Sequence, residues 1–135
     1  MTGLGREIGL AVDFDEALRR TTAALATQGF GMISRIDIDR AFAEKLGVAF
    51  RRFVVLGACN PQLAHAALSA RPDVGLLLPC NVTVEENGPG AIVRIVHPRR
   101  TFAGFGLADS PELTPLAEEA GHRLDQVAQA LSQPT

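Results

Sequence analysis

A chain of 135 residues with 47% apolar and 21% charged residues is long enough to close one hydrophobic core without metal or disulfide help. A formal net charge of −2 excludes the basic field that holds nucleic acid or an anionic membrane, and the absence of Trp and Tyr removes the stacking platforms of single-strand binders. No segment has the apolar length of a signal peptide or a bilayer span, so the expectation is a cytoplasmic protein with two reduced cysteines and neither nucleic acid nor membrane as partner.

In chain order, Arg6 to Val12 alternates, with Ile8, Leu10 and Val12 on one face, and reads as a strand. Asp13 caps a helix, with Glu16 three residues on, and Phe14, Ala17, Leu18, Thr21 and Leu25 form its apolar stripe until Gly29 ends it. A second strand runs from Gly31 to Asp37. Asp39 starts a short helix whose Ala41, Phe42 and Leu46 are expected to face inward before Gly47 stops it. From Phe50 to Ala58 the chain is most strand-like, and the run Phe53-Val54-Val55-Leu56 predicts a central strand buried on both faces. Asn60 caps the next helix with Pro61 at its first position, and Pro72 prevents its extension. Two strands, Asn81–Glu86 and Ala91–His97, are joined by the hairpin Asn87-Gly88-Pro89-Gly90. A Gly-rich loop is expected from Pro98 to Ser110, followed by a long amphipathic helix from Ser110-Pro111 to Leu131.

The order β-α-β-(α)-β-α-β-β-α predicts an α+β domain, a two-layer sandwich of a mostly antiparallel sheet with its helices on one face. A doubly wound parallel sheet is the alternative, disfavoured because the Asn87–Gly90 hairpin breaks strand–helix alternation. One domain is expected over 1–135, with its core at 6–131 and a frayed polar tail at 132–135.

The only cysteines sit in two local signatures, Gly57-Ala58-Cys59-Asn60-Pro61 and Leu78-Pro79-Cys80-Asn81-Val82. With Ile36-Asp37 and the closing helix through Ala117, Glu118, Glu119 and Ala120, they carry a resemblance to the DUF302 family over roughly Ile8 to Leu131. The resemblance implies a compact α+β domain of bacterial and archaeal type. It brings no reaction, substrate or cofactor, so no catalytic residue carries over.

The residues themselves offer several chemical candidates. Cys59 precedes a helix start, where unpaired N–H groups and the helix dipole favour a thiolate, whereas Cys80 lies in phase with Val82 and Val84 and points toward the core. The pair reads either as a redox or soft-metal thiol site or as two small buried apolar residues; no metal-ligand spacing accompanies them. His65, more than one turn after Asn60 in the same helix, is the candidate base for a Cys59 nucleophile, and Glu85 is a weaker general-base candidate on its strand. Asn60, Gln62 and Asn81, with Cys80, frame a ligand-binding candidate at the helix start. Arg99 and Arg100 in the expected loop are placed to close over a small anionic molecule, or simply to connect. Exposed edge strands predict a homodimer. Two functional classes follow: a ligand-binding or interaction domain, and a thiol-dependent enzyme or carrier using Cys59 with Cys80 or His65.

Overall fold

The computed structural model describes residues 3–133. Along the chain run β1 (Gly5–Leu10), α1 (Phe14–Thr27), β2 (Gly31–Asp37), α2 (Ile38–Leu46), β3 (Phe53–Cys59), α3 (Pro61–Ala70), a 3₁₀ segment (Pro72–Leu77), β4 (Cys80–Asn87), β5 (Gly90–Val96), α4 (Pro98–Gly104) and α5 (Thr114–Ser132). The five strands form one antiparallel sheet in the order β1-β5-β4-β3-β2. The fold is therefore the α+β arrangement expected from the element order.

Local chemistry explains the boundaries. The Asp13 carboxylate accepts from the Glu16 amide at 2.9 Å and opens α1, and the Asn60 side chain accepts from the Leu63 amide at 3.2 Å and opens α3. Gly47 closes α2 in the left-handed region at φ 65°, where a side chain would be strained. Asn87 pairs with Gly90, so Gly88-Pro89 is the two-residue turn of the β4–β5 hairpin.

Pleating sorts the sheet into two unlike faces. Ile8, Val54, Leu56, Val82, Val84, Val93 and Ile95 point to one side and are buried with Ala17 and Leu25 of α1 and Leu124 and Val127 of α5. A second, smaller cluster of Ala67, Val74, Phe102, Leu113 and Ala117 ties α3, the 3₁₀ segment and α4 to the start of α5. On the other side of the sheet Glu7, Arg94 and Glu85 form an ion cluster with Arg51.

Several expectations are corrected. The run in β3 is buried on one face only: Val54 and Leu56 are fully buried, but Phe53 and Val55 are half-exposed, because the helices cover one side. Leu46 does not face inward and is 68% exposed; Phe42, half-buried, packs edge-on against Phe50 at 5.3 Å between ring centres. The segment expected as a loop from Pro98 to Ser110 begins with a helix, α4. Pro98 sits at its first position, the Thr101 amide donates to the His97 carbonyl at 3.1 Å, and buried Phe102 anchors it, while Phe105 stays exposed. The last helix starts at Thr114 rather than Ser110, since Ser110 to Leu113 is a turn closed by the Leu113 amide on Ser110 Oγ. The 3₁₀ segment fills Pro72–Leu77, between the end of α3 and β4, where no element was expected. Of the expected polar tail, Ser132 ends α5 with its hydroxyl on the Ala128 carbonyl, while Pro134 and Thr135 lie outside the described residues.

Candidate functional site

The two cysteine signatures meet at one end of the sheet, where β3 ends and β4 begins. Cys80 lies opposite the residue before Cys59, since Ala58 and Cys80 are cross-strand partners. Gly57 makes this junction possible. A Cβ there would overlap Ser34 Oγ and lie 2.6 Å from Pro79 Cγ, so only glycine lets the β3–β4 connection close down on the strand. The Leu78–Pro79 peptide that precedes Cys80 is cis.

Above these strand ends lies a cavity of 520 Å³, walled by α3, the 3₁₀ segment, α4 and the start of α5. Both Cys59 and Cys80 line it, together with Asn60 and Asn81. The rest of its wall is aliphatic or aromatic apart from Gly75 and Thr101, and among the described lining residues none is Asp, Glu, His, Lys or Arg. Its rim carries apolar side chains left in solvent: Leu76 is 91% exposed and Ile33 64%.

The two thiols differ in setting. Burial, and secondarily the neighbouring Cys59, push the Cys80 thiol up to about 11, so it is neutral at physiological pH. Since the thiolate is the nucleophile, Cys80 is expected to react with iodoacetamide at pH 8 roughly 100-fold more slowly than an unburied cysteine. Peptide mapping of folded protein by mass spectrometry reads this; prompt modification of Cys80 would contradict it.

The remaining candidates separate. His65 and Gln62 stand exposed on α3 and do not line the cavity. Arg99 and Arg100 are exposed on α4, whose Pro98, Thr101 and Phe102 are the side chains turned to the cavity. Asn60 is buried and its amide oxygen is used as the α3 cap. Glu85 lies on the far side of the sheet, buried, its two oxygens bonded to Arg94 and Arg51. Burial alone would raise its carboxyl, but the hydrogen bonds from Arg94 and Arg51 outweigh that and hold it below the ordinary glutamate value. Such a group is a poor proton acceptor, and both of its oxygens are engaged by arginines. His97 is buried between β5 and α4 with Nδ1 unpartnered, and its burial disfavours the charged form.

Asn60, Cys80 and Asn81, all candidates from the sequence, line one cavity, whereas its walls had no candidate among them. The signal available was the triple leucine Leu76-Leu77-Leu78, an apolar run directly before Pro79 that had no strand or helix period to satisfy. Among the described residues no group of three or more His, Cys, Asp or Glu is placed to hold a metal ion, and no helix is long and apolar enough to cross a membrane.

Among known proteins, residues 7–131 match the family model described as a domain of unknown function, DUF302. A crystal structure of an uncharacterized conserved protein DUF302 from Bacillus stearothermophilus is similar with a TM-score of 0.83 at 23% identity, covering 95% of this chain and 98% of that one. At that identity the likeness speaks for the fold. No curated protein matches the chain.

Proposed function

Because the chain belongs to the DUF302 family, for which no function is assigned, we propose from the geometry of the site that the domain binds a small, uncharged, mainly apolar molecule in the cavity above β3 and β4. One observation carries this reading: a 520 Å³ space whose lining holds no carboxylate, imidazole or cationic side chain among the described residues. That volume lies within the roughly 300–1,000 Å³ of small-molecule sites, and such a wall offers burial rather than charge. Asn81, exposed at the rim, supplies a donor and an acceptor to orient a polar end. An anion is disfavoured here, since removing it from water in an apolar wall costs free energy that Arg99 and Arg100, outside the lining, do not offset.

The test is a fluorescence titration with N-phenyl-1-naphthylamine, an uncharged apolar fluorophore. Saturable binding with Kd on the order of 10 µM is expected, displaced by dodecanol and unaffected by inorganic phosphate. Displacement by phosphate, or no saturable binding, contradicts the reading.

A second reading, thiol chemistry at Cys59, is favoured by the presence of both sulfurs on one lining. With Cys80 held neutral, Cys59 would act as the nucleophile or soft-metal ligand in that case.

A further inference from the structure

The sheet has two edges, and they are finished differently. At β1, α5 packs along the strand, Arg6 Nε donates to Asp125 Oδ1 at 2.6 Å, and the exposed positions are Glu7 and Gly9. Charge and cover of this kind are how sheets block further pairing. At β2 six of the seven residues are exposed, and Met32, Ile33 and Ile36 are among them. Val48 and Phe50, in the segment leading from α2 to β3, are exposed as well. The irregularity in the β2–β3 register lies between Met32 and Ser34, so Ser34–Asp37 remains regular strand.

The occupant of that edge is indicated by its charges. Arg35 and Asp37 pair with Leu56 and Val54, so they share the helix-covered side of the sheet, while Ser34 and Ile36 share the other. They are bonded to each other at 3.0 Å, two residues apart on one strand. Such a spacing is self-complementary. If two copies of β2 run antiparallel about an axis at Ile36, Arg35 of each copy falls opposite Asp37 of the other, and Ile36 meets Ile36. An axis at Arg35 would instead set two arginines face to face, which cross-strand pairing disfavours. The Asp37 side chain makes no cap bond to α2, and the pairing exchanges its own Arg35 for the Arg35 of the second copy.

We propose that the β2 edge is a homodimer interface, at which β2 pairs antiparallel with β2 of a second copy about a twofold axis at Ile36 and joins the two five-stranded sheets. The pairing covers Ile36 and gives partners to outward backbone groups of Arg35–Asp37, the last three residues of the strand before α2 begins at Ile38. Ile33 belongs both to β2 and to the cavity lining, so the second copy lies beside the cavity mouth. The interface does not depend on what the cavity holds, and its test contains no ligand.

Light scattering after size exclusion at 100 µM is expected to give twice the 14.3 kDa chain mass. Ile36→Lys sets two cations opposite each other at an exposed position and should raise the dimer Kd at least tenfold with the circular dichroism spectrum unchanged. Arg35→Asp should weaken the dimer, and adding Asp37→Arg should restore it, a rescue that loss of folding would not produce. Ile36→Cys places two thiols about 5 Å apart between Cβ atoms, and mild oxidation should link it, but not the wild type, into a covalent dimer. A wild-type monomer at 100 µM overturns the proposal. So does a dimer indifferent to Ile36→Lys and left unlinked by Ile36→Cys.

Discussion

Gly57→Val is expected to destabilise the domain by roughly 3 kcal/mol and to lower its Tm by on the order of 10 °C. The reason is geometric. A Cβ at this position overlaps Ser34 Oγ on the neighbouring strand and comes 2.6 Å from Pro79 Cγ on the β3–β4 connection. The serine hydroxyl can turn away by rotating χ1, but the proline ring cannot. Gly57→Val/Ser34→Ala should therefore recover only a small part of the loss. Thermal unfolding by circular dichroism measures both, and a cost below about 1 kcal/mol for Gly57→Val would show that the strand–proline contact is looser than described.

The second large effect separates the two faces of the sheet. Leu56→Ala should cost about 3 kcal/mol, because Leu56 is fully buried beneath the helices and its removal leaves a void that close-packed neighbours cannot fill. Val55→Ala, one residue away, should cost under about 1 kcal/mol, because Val55 is half-exposed on the side away from α1 and α5. Urea unfolding of the two variants gives the comparison. Equal losses would mean that both faces are covered, as the apolar run alone had suggested.

That run shows where the sequence was legible and where it was not. Caps and turns are local chemistry, so Asp13, Gly47, Asn60-Pro61 and the Asn87–Gly90 hairpin could be placed from a few residues each. Strand existence was equally readable in Gly31–Asp37, whose limits agree with β2. Burial was not, because it is set by what packs above a strand. Phe53-Val54-Val55-Leu56 reads the same whether one face or two are covered. The same blindness made Leu46 an inward residue and hid the exposed apolar positions of β2.

Glycine misled in another way. Gly104 and Gly106 gave the segment after β5 a loop-like composition, yet Pro98 at the first helical position and the anchor Phe102 make its first half a helix. With that helix formed, Arg99 and Arg100 are carried to the exposed surface while Thr101 and Phe102 turn to the cavity. The site itself was half visible. Cys59, Asn60, Cys80 and Asn81 could be brought together from two signatures at strand ends. The walls come from four separate elements, and only the fold brings them to one place. Glu85 illustrates the converse. Its strand position was readable, but Arg51 and Arg94 reach it from different parts of the chain, and their hold on both oxygens could not be read from its neighbours in sequence.

A ligand site in the cavity is tested most directly by the N-phenyl-1-naphthylamine titration of the wild type beside Ala64→Phe. Ala64 lines the cavity and is only half-buried, so a phenyl group there fills the space without entering the closed core. The wild type should bind saturably, and Ala64→Phe should weaken binding at least tenfold while keeping its Tm within a few degrees. Equal binding by both proteins, with Ala64→Phe folded, would contradict a ligand site at the junction of β3 and β4.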